Sequence, residues 1–273
     1  MTIKLIALDL DDTLLDSKLA VSPRACEAIR KAVARGVTVT IATGRMYASA
    51  LPYARQLGLD VPLITYNGAL IKSSLSGETL LDRPIAGEIA QQILELCRER
   101  GWYIQSYVND KLYVAEVNHY AKRYAELARV PVTALGDSFY TVKERPSKML
   151  IMDSAEAIAQ IFTMVKAAFG DKLSIAISKP TFMEITDPLA NKGHALAFLA
   201  DKLGIKQDEI MALGDSGNDL DMIKYAGWGV AMGNANAAVK AAARLETLSN
   251  DADGVAEAIE KYVLQNFNAD VKK

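Results

Sequence analysis

The sequence predicts an α/β protein, a Rossmann-like doubly wound parallel sheet core interrupted by an inserted α+β domain, and three observations carry that expectation. Over residues 1–82, short apolar runs alternate with longer helical patterns, the grammar of βαβ units. Across residues 83–187 this gives way to closely spaced strand pairs between helices. After Lys192 the alternation returns, so residues 188–273 complete the domain that residues 1–82 begin. A chain of 273 residues, 51% apolar and 23% charged, has room for two globular domains with cores of their own.

Residues 3–8 form an apolar run that reads as a buried strand ending at Asp9. Ser22-Pro23 supplies the N-cap and first position of a helix that Gly36 ends, and residues 37–42 are the second strand. A helix over 47–57 stops at Gly58, and a strand over 62–66 leads into Asn67-Gly68. In the insert, helices are expected over 88–100, 119–129 and 156–169. Strands are expected over 103–108, 112–115, 148–152, 173–178 and 182–186. Asn109-Asp110 and Lys179-Pro180 read as hairpin turns, which predicts an antiparallel sheet with its helices on one side. The core then resumes with a helix over 193–203, a strand over 210–213, a helix over 219–225 and a strand over 228–231.

Charge and cysteine content narrow the function classes. A net charge of −2 and a pI near 5.8 provide no global field for nucleic acid or an anionic membrane. Cys26 and Cys97 are too few for a disulfide framework, which fits a reduced, cytoplasmic protein. Neither a signal-peptide core nor a long uncharged apolar run is present, so neither export nor membrane insertion is expected. A small-molecule partner is the remaining expectation, with the chain a monomer or weak homodimer.

Four polar clusters each follow an apolar run or open a helix: Asp9-Leu10-Asp11-Asp12-Thr13, Thr43-Gly44-Arg45, Asn191-Lys192-Gly193, and Gly214-Asp215-Ser216-Gly217-Asn218-Asp219. Ligands of open α/β sheets bind at the carboxyl ends of the strands, where these clusters would converge. Asp9 and Asp11, two apart on a strand, would share one face. Paired acids divide the labour of nucleophile and proton shuttle, and carboxylates with a lysine and amides suit Mg²⁺ and a phosphoryl group. Taken singly, Thr-Gly-Arg or Asn-Lys-Gly is usually a turn or helix start. His119 and His194 show no metal-ligand spacing, and Asp12 reads as a turn residue.

In their order, these motifs resemble those of the haloacid dehalogenase superfamily of phosphatases. Thr65-Tyr66-Asn67-Gly68-Ala69 and the insert between the second and third motifs are similar to its Cof-type sugar-phosphatase branch. The resemblance spans essentially the whole chain. It implies that Asp9 attacks phosphorus to give an aspartyl phosphate while Asp11 acts as general acid and base. Mg²⁺ would be held by Asp9, the Asp11 carbonyl and Asp215, with Asp219 orienting a bound water. Thr43, Gly44, Leu10, Lys192 and Asn218 would bind phosphoryl oxygens. Asn67, just past a core strand, has two equal readings: contact with substrate near the insert, or the first residue of an Asn-Gly turn. Asp12 departs from the glycine frequent at its place in the family. The insert, 83–187, would choose the substrate, with Tyr107, Asn109, Lys148, Lys179 and Glu184 as candidates.

The implied activity is Mg²⁺-dependent hydrolysis of a small phosphorylated metabolite, foremost a sugar phosphate. Alternatives are a flavin mononucleotide or pyridoxal phosphate phosphatase, a phosphomutase, and a noncatalytic switch that keeps a phospho-aspartate. The inserted domain and the presence of Asp11 speak against the switch.

Overall fold

The computed structural model describes residues 2–141 and 143–265. In chain order it opens with β1 (Leu5–Leu8), α1 (Pro23–Ala34), β2 (Thr38–Ile41), α2 (Tyr47–Gln56), β3 (Pro62–Thr65), β4 (Leu70–Ser73) and β5 (Thr79–Asp82). It continues with α3 (Gly87–Arg100), β6 (Ile104–Val108), β7 (Lys111–Val114), α4 (His119–Ala128), β8 (Val132–Ala134), β9 (Lys148–Met152), α5 (Ala155–Phe169), β10 (Ser174–Lys179) and β11 (Phe182–Thr186). It closes with α6 (Lys192–Leu203), β12 (Ile210–Gly214), α7 (Leu220–Tyr225), β13 (Trp228–Ala231), α8 (Ala237–Ala242), β14 (Leu245–Glu246) and α9 (Gly254–Ile259). The chain forms two compact units, one of residues 1–44, 50–80 and 191–273, the other of residues 45–49 and 81–190.

The first unit is built on a parallel sheet in the order β14-β13-β12-β1-β2. Every residue of β1 and of β12 is buried, as central strands covered on both faces require. The Ser22 hydroxyl accepts the Ala25 N–H at 3.0 Å to start α1, with Pro23 at its first position. β3 meets the sheet's edge through a single parallel bridge, Ala42 to Ile64, and turns back antiparallel into β4. Strands β4 and β5, which complete the order β3-β4-β5, were not foreseen from the sequence.

The second unit holds a six-stranded sheet, β10-β11-β9-β6-β7-β8, antiparallel except where β7 and β8 run together. Asn109 and Asp110 both adopt positive φ, 50° and 58°, the backbone a two-residue hairpin requires. The β10–β11 turn falls on Pro180-Thr181, one residue beyond the expected pair. Met149 and Ile151 of β9 pack with Ile93 and Cys97 of α3 and Ile158 and Ile161 of α5 in one core. The expectation of helices on one side only is corrected by α4. Its Tyr124 ring lies 5.8 Å from that of Tyr107 and 6.3 Å from that of Phe182, residues that alternation places on the opposite face. No described helix is long and apolar enough to cross a membrane.

Candidate active site

β1 and β12 set the position of the first acid. Leu8 lies in register with Leu213, and the Asp9 N–H donates to the Leu213 carbonyl at 3.0 Å. Asp9 is thus the first residue past the paired strand, and it is buried. Strand alternation does not reach Asp11, which corrects the argument that placed both acids on one strand face. Pairing ends at Leu8, and Asp11 (φ −75°, ψ 133°) and Asp12 (φ 56°) form an irregular turn. That turn is held by the Leu15 N–H on the Leu10 carbonyl at 2.9 Å. Asp11 is half-buried in it and the Leu10 side chain is wholly buried beneath.

Lys192 opens α6, whose N-cap Asn191 accepts the His194 N–H at 2.7 Å. Its fully buried ammonium donates to Asp9 Oδ1 at 2.5 Å and to Asp219 Oδ1 at 2.6 Å. The other oxygen of Asp219 accepts the N–H groups of Asp215 and Ser216, each at 3.0 Å. This fold-back requires glycine at 214, because a Cβ there would lie 2.5 Å from the Asp219 carboxyl carbon. Asp215 is steadied from the other side by the Thr13 hydroxyl, which donates to its Oδ1 at 3.1 Å.

Three carboxylates therefore surround one ammonium, and the electrostatics follow from that excess. Burial, then the neighbouring Asp219 and Asp215, push the Asp9 carboxyl well above the usual carboxylate range against the opposing pull of Lys192. Burial and Asp219 raise Asp215 to about 6. Burial alone would lower the Lys192 ammonium, but Asp219 and Asp9 outweigh it and hold the proton more tightly than in water.

The neutral donors form a second connected group. The Thr43 N–H donates to the Ile64 carbonyl at 2.9 Å, and the Thr43 carbonyl accepts the Asn67 N–H at 3.0 Å. Asn218 Nδ2 donates to Asn67 Oδ1 at 3.0 Å. That same oxygen would lie 2.8 Å from a Cβ at Gly44. Thr43, Gly44, Asn67 and Asn218 thus converge from β2, β3 and the loop after β12. Thr13 and Ser216 are the site residues to which sequence reasoning gave no role. Ser216 was findable, because Ser-x-x-Asp is a capping-box spacing.

Asp9, Asp215 and Asp219 each offer a carboxylate oxygen within 4.8 Å of the others. Asp9 Oδ2 and Asp215 Oδ2 accept no hydrogen bond from the described residues, whereas both oxygens of Asp219 are engaged. With Lys192 the cluster carries a formal excess of two negative charges, so its hard oxygen donors and its charge both fit a divalent cation.

Acids gathered about a lysine at the carboxyl edge of a parallel sheet place the protein among α/β enzymes. The chain belongs to the haloacid dehalogenase-like hydrolases, whose family pattern it matches over residues 6–259, and within them it is a phosphatase. It is 33% identical over 262 residues to the 5-amino-6-(5-phospho-D-ribitylamino)uracil phosphatase YcsE of Bacillus subtilis strain 168, covering 96% of each chain. A haloacid dehalogenase-like hydrolase from Bacteroides thetaiotaomicron shares the fold with a TM-score of 0.89 at 32% identity, over 95% of this chain and 99% of that one. The subclass IIB sugar phosphatase BT4131 superposes with a TM-score of 0.79 at 25% identity, over 95% of this chain and 98% of that one.

Proposed function

We propose that this protein hydrolyses small phosphate monoesters, sugar and polyol phosphates foremost, through a covalent aspartyl phosphate on Asp9. The observation that carries this reading is the buried contact of Lys192 with Asp9 at 2.5 Å. It leaves Asp9 one oxygen that accepts no hydrogen bond from the described residues, beside an ammonium whose third N–H is likewise unspent on them. The free Asp9 oxygen attacks phosphorus in line while the ester O–P bond breaks, and Asp11 gives its proton to the departing alkoxide. Asp11 then takes a proton from water, whose oxygen attacks the phosphoenzyme. The bond from Asp9 to phosphorus breaks, and inorganic phosphate and a restored carboxylate result.

Lys192, the Leu10 and Gly44 amides, Thr43 and Asn218 hold the phosphoryl oxygens in this reading. Mg²⁺ would be held by Asp9, Asp215 and the Asp11 carbonyl, with Asp219 orienting a bound water, and when bound it offsets the repulsion between carboxylate and phosphate dianion. We assign substrate choice to residues 83–187, where the Lys148–Glu184 pair beside Tyr107 offers charged recognition groups, and Asn67 contacts substrate from the core. A phosphorylated polyol or sugar is favoured because two similar proteins are named for such esters, a phosphoribityl compound and a sugar phosphate.

Phosphate release from a panel of sugar, polyol, flavin and pyridoxal phosphates, with Mg²⁺ and with chelator, tests this directly. Asp9→Asn should lower turnover by at least ~10⁴-fold while the circular dichroism spectrum is unchanged, and acid quench of the wild type should trap one phosphoryl group per chain. Turnover retained in Asp9→Asn removes the covalent route. Phosphate passing to a second ester rather than to water would instead identify a mutase.

A further inference from the structure

The second unit contains a pocket of about 240 Å³ whose lining includes, of the five substrate-choice candidates, Asn109 alone. Leu94 of α3, Val108 of β6 and Phe139 form its apolar wall, and Ser106, Tyr113 and Glu144 bring polar groups to it. Ser106 and Tyr113 are direct partners across the β6–β7 ladder, so both side chains rise from one face of the sheet. Tyr107, between Ser106 and Val108, points to the other face, where its hydroxyl accepts from Gln105. The pocket therefore lies on the α3 side, away from the Lys148–Glu184 pair.

Three observations indicate a ligand. The hydroxyls of Ser106 and Tyr113 make no hydrogen bond with any described residue, and no fully buried side-chain oxygen among those residues lacks a partner. Both hydroxyls therefore open onto accessible space, where a ligand can replace the water that solvates them. Among the described residues, no lysine or arginine lines the pocket, and Glu144 is the one charged residue that does. An anion is thereby disfavoured and a cation is favoured. The aromatic side chains of Phe139 and Tyr113 would further attract an ammonium or stack on a ring. A cavity of roughly 150 Å³ accepts benzene, so this one has space for a ring with a short amine-bearing arm.

We infer that this pocket binds a small aromatic amine, its ring against Leu94, Val108 and Phe139 and its ammonium toward Glu144 and the two hydroxyls. The site is separate from the phosphoryl chemistry and stands or falls independently of it.

The test uses the full chain and three probes of matched shape: phenethylamine, 2-phenylethanol and phenylacetate. Methyl ¹H–¹³C spectra are recorded during titration. Phenethylamine should bind saturably with a dissociation constant on the order of 1 mM, a reasonable value for so small a ligand. It should shift the methyl signals of Leu94 and Val108. The alcohol should bind more weakly and the carboxylate most weakly. Glu144→Gln, at an exposed position, should weaken the amine about three- to tenfold and leave the alcohol unchanged. Val108→Phe, which fills the pocket, should abolish both. Absence of saturable shifts from the amine, equal or tighter binding of the carboxylate, shifts confined to other methyls, or amine binding unaltered in both variants would each overturn the assignment.

Discussion

Both units bury a lysine against a carboxylate, yet they do so with different charge balance. In the second unit the Lys148 ammonium, 2% exposed, meets the Glu184 carboxylate at 3.3 Å, and the Tyr107 ring lies 5.1 Å from it. In the first, the Lys192 ammonium serves Asp9 and Asp219 at once, with Asp215 alongside. The formal charges of Lys148 and Glu184 cancel each other, whereas Asp9, Asp215 and Asp219 exceed Lys192 by two negative charges. A buried neutral pair can be structural, and hydrophobic replacement of such pairs is often harmless. An unbalanced buried cluster is tolerated only where something external completes it, which is why the acids of the first unit mark chemistry.

The largest effect should come from Lys192→Ala. It strips two buried carboxylates of their shared cation, and breaking a buried pair in this one-sided way costs about 3–5 kcal/mol. Chemical denaturation in chelator measures that loss. If added Mg²⁺ restores much of it while phosphatase activity stays at least ~10²-fold down, the lysine serves substrate as well as fold. A variant as stable as wild type in chelator would show that the acids in the metal-free protein are already protonated.

The next effect concerns pH and metal. Asp215 has its folded-state value raised to about 6 by burial and Asp219, above the unfolded value near 4. A raised carboxyl favours the folded state below the unfolded value, and that contribution is lost as pH rises from about 4 through 6. A divalent cation must displace those protons, so its stabilisation should grow with pH. The rise in melting temperature on adding saturating Mg²⁺ should be small at pH 5 and roughly 5 °C or more at pH 7. Equal shifts at both pH values would separate metal binding from these acids.

The pair in the second unit gives the contrast. Lys148→Met alone takes the ammonium from Glu184, which keeps the Ser178 hydroxyl at 3.1 Å, and should destabilise by about 1–3 kcal/mol. The double change Lys148→Met with Glu184→Leu should recover most of that loss, as urea unfolding of the two variants would show. Failure to recover would mean that the two side chains serve partners beyond each other, and the comparison between the units would collapse.

The sequence exposed the chemical residues more readily than their geometry. β9, β11 and β13 fall where their apolar runs predict, at Lys148–Met152, Phe182–Thr186 and Trp228–Ala231. β1 and β2 are shorter than their runs, because Ile3, Val37 and Ala42 are buried without lying in the paired strand. β8 escaped notice since Thr133 and Ala134 are exposed at the sheet edge and show no alternation. The four motifs were legible as ordered clusters, and Asp9, Lys192, Asp215 and Asp219 indeed meet. The Thr13–Asp215 contact spans 202 residues, and no local pattern announces so distant a hydrogen bond.

The smallest predicted effect tests the one departure from the family pattern. Asp12 occupies the left-handed region at φ 56°, where a residue with a Cβ is strained but Asp is better tolerated than most. Its backbone carbonyl accepts from Asn234 Nδ2 at 2.8 Å, a contact that glycine would keep. Asp12 also adds to the negative charge that raises Asp215. Asp12→Gly relieves the strain and removes that repulsion, but it gives the unfolded chain more freedom to lose. The opposing terms should leave stability within about 0.5 kcal/mol of wild type and turnover within about threefold. A larger drop in turnover, measured as phosphate release at saturating Mg²⁺, would mean that the Asp12 carboxylate takes part in the site and that the turn after β1 does more than aim Asp9 and Asp11.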